Sequence, residues 1–177
     1  TPPAVGTMLA AGLKLQDEEG RPVELESLWK EKPVVMVFYR GGWCPFCNKS
    51  LAEWGAAAAE VEKSGATLVA IAMEKPSEAK ATKEKNALPY RVLVDADGSV
   101  CRSMGLLFEL DEQSRKRYEG YGIDLAKKNA NGRWELPHPG TFAVDKGGKV
   151  LFSAADVDYR TRIKPEPVLA ALAGRGK

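Results

Sequence analysis

Three cysteines and one histidine in 177 residues are the scarcest chemical resources of this chain. They are too few for a disulfide-dense secreted scaffold and leave almost no ligand stock for a polynuclear metal site. Net charge is scarce too. Lys and Arg number 26 against 24 Asp and Glu, a balance of +2, so no nucleic-acid partner is expected. No apolar run approaches the roughly 18 residues of a transmembrane helix, and no membrane partner is expected. Thr1-Pro2-Pro3 has neither the basic nor the apolar region of a signal peptide. The expected location is cytoplasmic, or periplasmic if an upstream signal has been removed. Repeats are missing, and the only low-complexity tract is the alanine cluster at 56–59. What is present is ordinary globular material, 44% hydrophobic and 28% charged, enough for one domain over 1–177 with its own core.

Residues 1–12 read as a loose N-terminal arm. Leu13 to Leu15 and Val23 to Leu25 flank an acidic Gly-Arg-Pro turn and predict a small hairpin. Val34 to Tyr39 and Thr67 to Ala72 are unbroken apolar runs, the pattern of strands buried on both faces. Between them, Pro45 suits the first turn of a helix whose Leu51, Trp54, Ala58 and Val61 share one face, with Gly65 as a stop. A Lys/Glu-rich helix is expected from Pro76 to about Asn86, a third strand over 90–94, and a short helix holding Cys101 and Met104. Residues 106–138 read as an irregular insertion, long enough to suggest function. Lys146-Gly147-Gly148 between two apolar runs is a hairpin signal, and Pro165 to Leu172 is a final helix. Strands alternating with helices, then a hairpin, predict an α/β fold with a mixed sheet covered on both faces.

Cys44-Pro45-Phe46-Cys47 lies between a buried strand and a helix N-terminus. Unpaired N–H groups and a partial positive charge there favour thiolate over thiol. Two cysteines at this spacing can close a short ring, one attacking and the other resolving. A zinc site would need Cys101 and His138 as well, two isolated residues, so a redox pair is the expected reading and no metal or other cofactor is expected. Two inert buried thiols are the bland alternative.

Phe38-Tyr39-Arg40-Gly41-Gly42-Trp43-Cys44-Pro45-Phe46-Cys47 resembles the active-site segment of thioredoxin-fold redox proteins, in particular the peroxiredoxin-like AhpC/TSA family. The segments Pro89 to Asp95, Gly140 to Lys146 and Gly148 to Val150 are similar to that family's later strands. The resemblance implies a thioredoxin-like fold and a thiol-based oxidoreductase. It would act on a hydroperoxide or a disulfide and be recycled by a thioredoxin-like reductant or glutathione. A homodimer is left open. In the thioredoxin register, Trp43-Cys44-x-x-Cys47 resembles W-C-x-x-C, with Cys44 the nucleophile and Pro139 in the place of the family's cis-proline. In the peroxiredoxin register, counted from Phe38-Tyr39, the attacking cysteine falls on Cys47. Cys44 then stands on a threonine, Arg40 on a proline and Pro139 on an arginine. Three residues that shape a peroxide pocket are thereby replaced, and Arg40 is left to supply a donor from a different position.

The resemblance also makes Cys101 a candidate resolving cysteine, although packing of a short helix is the favoured reading. His138, beside Pro139, could border the thiols or sit on the surface as a polar residue. Trp43, with Pro45 and Phe46, is expected to cover the site. Trp134, Tyr118 and Tyr121 either line a groove or pack under the loop. A disulfide oxidoreductase without peroxidase activity and a non-catalytic redox-sensing module are the alternative functions.

Overall fold

The computed structural model describes residues 1–175. A seven-stranded mixed sheet runs in the order β2-β1-β5-β4-β3-β8-β9. Its centre is β3 (Val34–Phe38), β4 (Thr67–Ala72) and β5 (Arg91–Val94), parallel to one another. The antiparallel pair β8 (Gly140–Val144) and β9 (Val150–Ala155) closes one side. The hairpin β1 (Lys14–Gln16) and β2 (Pro22–Glu24) closes the other. The alternating side chains of β3 divide between two cores. Val35, Val37 and Tyr39 enter one with α1 (Pro45–Lys63), α2 (Pro76–Lys85) and α6 (Pro165–Ala173). Val34, Met36 and Phe38 enter the other, with the 3-10 turn Leu25–Trp29 and α3 (Ser99–Ser103). Period-two alternation explains the split, and burial on both sides explains the unbroken apolar sequence.

Helix α1 seats Leu51, Trp54 and Val61 against the first core, at 0–1% exposure. Each such side chain contributes about 1.5–3 kcal/mol of burial. Gly65 follows its end with φ of 86°, a conformation glycine adopts at no steric cost.

Two expectations change. The arm at 1–12 is seated rather than loose. Gly6 N–H donates to the Val150 carbonyl at 2.8 Å, Val150 N–H to Thr7 at 2.8 Å, and Leu9 N–H to Gly148 at 2.9 Å. The backbone of β9 offers an edge, and the arm satisfies its first residues. Residues 106–138 are not irregular. They hold a small antiparallel ribbon of β6 (Leu107–Glu109) and β7 (Glu135–Pro137), and between them α4 (Glu112–Gly120) and α5 (Leu125–Lys128). Helix α4 buries no side chain, so its sequence carries no apolar stripe from which to read it.

Candidate active site

The parallel strands β3 and β4 end at the same edge of the sheet, the edge where α/β proteins place their sites. Tyr39 and Arg40 follow β3 there, and Glu74 follows β4. The chain then turns through Gly41 to Trp43 into α1. Cys44 is the N-cap residue, in an extended conformation, and Pro45 is the first helical residue. Cys47 lies in the first helical turn. Both thiols are covered, Cys44 at 2% and Cys47 at 0% exposure.

Two guanidinium groups converge on the sulfurs. Arg40 donates through Nη1 to Cys44 Sγ at 3.7 Å and through its backbone N–H to Cys47 Sγ at 3.4 Å. Arg162 Nη2 lies 3.4 Å from Cys47 Sγ and 4.0 Å from Cys44 Sγ. Arg162 comes from the connection between β9 and α6, where its Nε donates to the Tyr159 carbonyl at 2.7 Å. The Cys44 thiol is brought down to about 5. Hydrogen bonding from the Cys47 thiol is the largest cause, and the Cys47 backbone N–H and the charges of Arg40 and Arg162 add to it against the effect of burial. The Cys47 thiol is driven up, first by burial and then by its neighbour Cys44. The two directions together favour the thiolate at Cys44 and the thiol at Cys47.

The pocket in front of Cys44 has a volume of about 500 Å³. Trp43, Phe46, Tyr118, Tyr121 and Tyr159 form much of its wall, with Pro45, Ile123 and Lys128. Arg40, only 4% exposed, is held among three of these rings. Its Cζ is 4.2 Å from the Tyr159 ring centroid, 5.1 Å from Trp43 and 5.5 Å from Tyr118. The cation faces the negative face of each ring, which compensates its burial. Phe46 is 41% exposed at the rim and meets Tyr159 edge-on.

The other candidates separate. Trp134 stacks under Arg115 and lies away from this pocket. His138 is half-buried, stacked on Phe108 with centroids 4.3 Å apart, and is held toward its neutral form by burial and then by the Arg40 charge. Pro139 does not carry the cis bond of the thioredoxin register, since no peptide bond among the described residues is cis. His138 N–H donates to the Leu106 carbonyl, and the Pro139 carbonyl accepts from Asp156. His138 and Pro139 thus join β7 of the small ribbon to β8 of the main sheet through trans peptide bonds. Cys101 is fully buried in the second core, on the other side of the sheet from Cys44 and Cys47. Its thiol is pushed up by burial and then by the Asp95 charge.

Sequence reasoning misses Arg162, Glu74 and Lys128. Glu74 has a usable signal, an acid two residues after a buried parallel strand. Arg162, 115 residues from Cys47 along the chain, has none.

Residues 7–153 match the AhpC/TSA family. A chloroplastic peroxiredoxin Q of Sedum lineare is 35% identical over 152 residues, covering 86% of this chain and 67% of that protein. A second chloroplastic peroxiredoxin Q, from Gentiana triflora, is 28% identical; this chain covers 57% of its length. Among solved structures, peroxidoxin BcpB from Mycobacterium tuberculosis superposes with a TM-score of 0.76 at 23% identity, covering 98% of both chains. Reduced Prx3 of Vibrio vulnificus in complex with H2O2 gives 0.76 at 18% identity, over 96% of this chain and 99% of that one. At these identities the superpositions establish a shared fold. With a CxxC pair at the head of its longest helix and a match over residues 7–153, the chain belongs to the AhpC/TSA family.

Proposed function

We propose that this protein is a two-cysteine thiol peroxidase in which Cys44 attacks a hydroperoxide and Cys47 resolves the product. One observation carries the reading. Two guanidinium groups converge on the paired sulfurs, and Cys44 is the cysteine that lines the pocket. The Cys44 thiolate attacks the terminal oxygen of the hydroperoxide. An S–O bond forms, the O–O bond breaks, and the electron pair leaves on the alkoxide. Arg40 and Arg162 face the charge as it moves, the kind of prearranged donor that stabilises such a transition state. The alkoxide takes the proton of Cys47. With Cys44 now a neutral sulfenic acid, one of the two influences that raise the Cys47 pKa is gone; burial remains, and Arg162 at 3.4 Å favours the thiolate against it. Cys47 then attacks the Cys44 sulfur, an S–S bond forms, and hydroxide leaves to be protonated by solvent. A dithiol reductant of thioredoxin type, or glutathione, returns the pair to its starting state.

A second reading exchanges the two roles. It is favoured by the closer donors on Cys47, both at 3.4 Å, and by the peroxiredoxin register. Peroxide consumption with a thioredoxin reducing system, combined with dimedone trapping, separates the two. Under the first reading, Cys47→Ser stops turnover and accumulates a sulfenate on Cys44, while Cys44→Ser accumulates none. A sulfenate on Cys47 in Cys44→Ser assigns the attack to Cys47 instead. Wild-type protein that reduces insulin disulfides but consumes no hydroperoxide overturns the peroxidase reading.

A further inference from the structure

We propose that Glu74 is the positioning residue that holds the Arg40–Cys44 loop in its reactive geometry. Glu74 is 1% exposed. A buried carboxylate is costly unless its oxygens are filled. No cation among the described residues fills them. Oε1 accepts the Gly42 N–H at 2.7 Å, and Oε2 accepts the Tyr39 hydroxyl at 2.8 Å and the Thr82 hydroxyl at 3.0 Å. Burial still raises its pKa, against the pull of those donors. Two of the three donors belong to the approach to the thiols. Tyr39 directly precedes Arg40, and Gly42 lies between Arg40 and Cys44.

Gly42 is also held from its other side. Its carbonyl accepts Asn48 Nδ2 at 2.8 Å and Lys85 Nζ at 3.3 Å. A Cβ at Gly42 would collide with the Thr82 hydroxyl, so the backbone approaches α2 more closely than any other residue allows. The loop is thus pinned midway between the two groups that must meet, the Arg40 guanidinium and the Cys44 sulfur. The backbone of Glu74 meanwhile bridges to Asn129, and the next N–H, of Lys75, donates to the Lys128 carbonyl at 2.9 Å. Lys128 lines the pocket. One residue therefore ties the thiol-bearing loop to the far wall.

The inference rests on the reading of Cys44 as the thiolate, and its test needs no peroxide. The rate of iodoacetamide alkylation at Cys44, located by peptide mapping, is followed against pH in wild type, Glu74→Ala and Glu74→Gln. Glu74→Ala is expected to react roughly 10-fold more slowly at pH 6, since each pKa unit by which the thiol rises above the ambient pH lowers the thiolate fraction about tenfold. Its apparent thiol pKa is expected to rise. Glu74→Gln is expected to lie closer to wild type than to alanine, because its amide oxygen still accepts the Gly42 N–H and its NH2 can donate to the Thr82 oxygen while the Thr82 proton turns to the Glu78 carbonyl, although the Tyr39 hydroxyl loses its acceptor. An alanine variant with the wild-type profile overturns the proposal. So does a glutamine variant as slow as alanine, since charge rather than anchoring would then be the cause. Should Glu74→Ala not fold, Glu74→Asp draws the carboxylate back from the Gly42 N–H by one methylene; slower alkylation supports the proposal and an unchanged rate overturns it. A wild type that alkylates as expected yet consumes no hydroperoxide would sink the peroxidase function and leave this proposal standing.

Discussion

At the scale of single residues, the site is a problem of placing one charge on two sulfurs. Folding lowers the Cys44 pKa, so reactivity is lost as the pH falls through about 5 and is already saturated at neutrality. The alkylation rate at Cys44 should therefore change little between pH 7 and 9. An ordinary thiol, with a pKa near 8.5, would gain more than about tenfold over that range. Arg162→Gln should raise the Cys44 pKa and lower kcat/KM for hydroperoxide by about 100-fold, the scale for removing one donor to a charge-shifting transition state. Cys44, Cys47 and Arg40 were legible in the sequence because they fall within eight consecutive residues around a strand-to-helix turn. Arg162 was not, because nothing local distinguishes it from the exposed Arg160 two residues earlier, which pairs with Asp158 instead. Pro139 shows the opposite failure, a residue at the expected point of the sequence whose peptide bond is trans.

At the scale of elements, legibility follows burial. Strands β3, β4 and β8 are buried along nearly their whole length, and their apolar runs announce them. Helix α4 is polar all round and rests on capping and local ion pairs. Asp111 caps it by accepting the Ser114 N–H at 2.7 Å, and Arg115 and Lys116 pair with Glu119 and Glu112. Those exposed pairs contribute little, so the cap matters more. Asp111→Ala should destabilise this helix locally. Because α4 carries Tyr118 to the pocket wall and to Arg40, the loss should appear as faster hydrogen exchange over 112–120, with the global melting transition nearly unchanged.

At the scale of the whole molecule, the sheet is a partition. Cys44 and Cys47 belong to the core on one face and Cys101 to the core on the other. Cys101 is further committed through its N–H to Asp95 Oδ2 at 2.7 Å. A Cys47–Cys101 bond, which the sequence left open, would require one of the two cores to come apart. Hydroperoxide treatment followed by non-reducing peptide mapping should yield a Cys44–Cys47 disulfide with Cys101 still a free thiol, alkylated only after denaturation. A Cys101-containing disulfide formed under native conditions would refute the partition. The sequence separation at the site has a further consequence, in the order of events during synthesis. Both cysteines leave the ribosome long before Arg162, and the loop between them spans nearly all the later strands. Non-local contacts of this kind close last. Until the final connection folds over α1, the two thiols have Arg40 but not Arg162 beside them, and the full set of donors assembles only when the fold is complete.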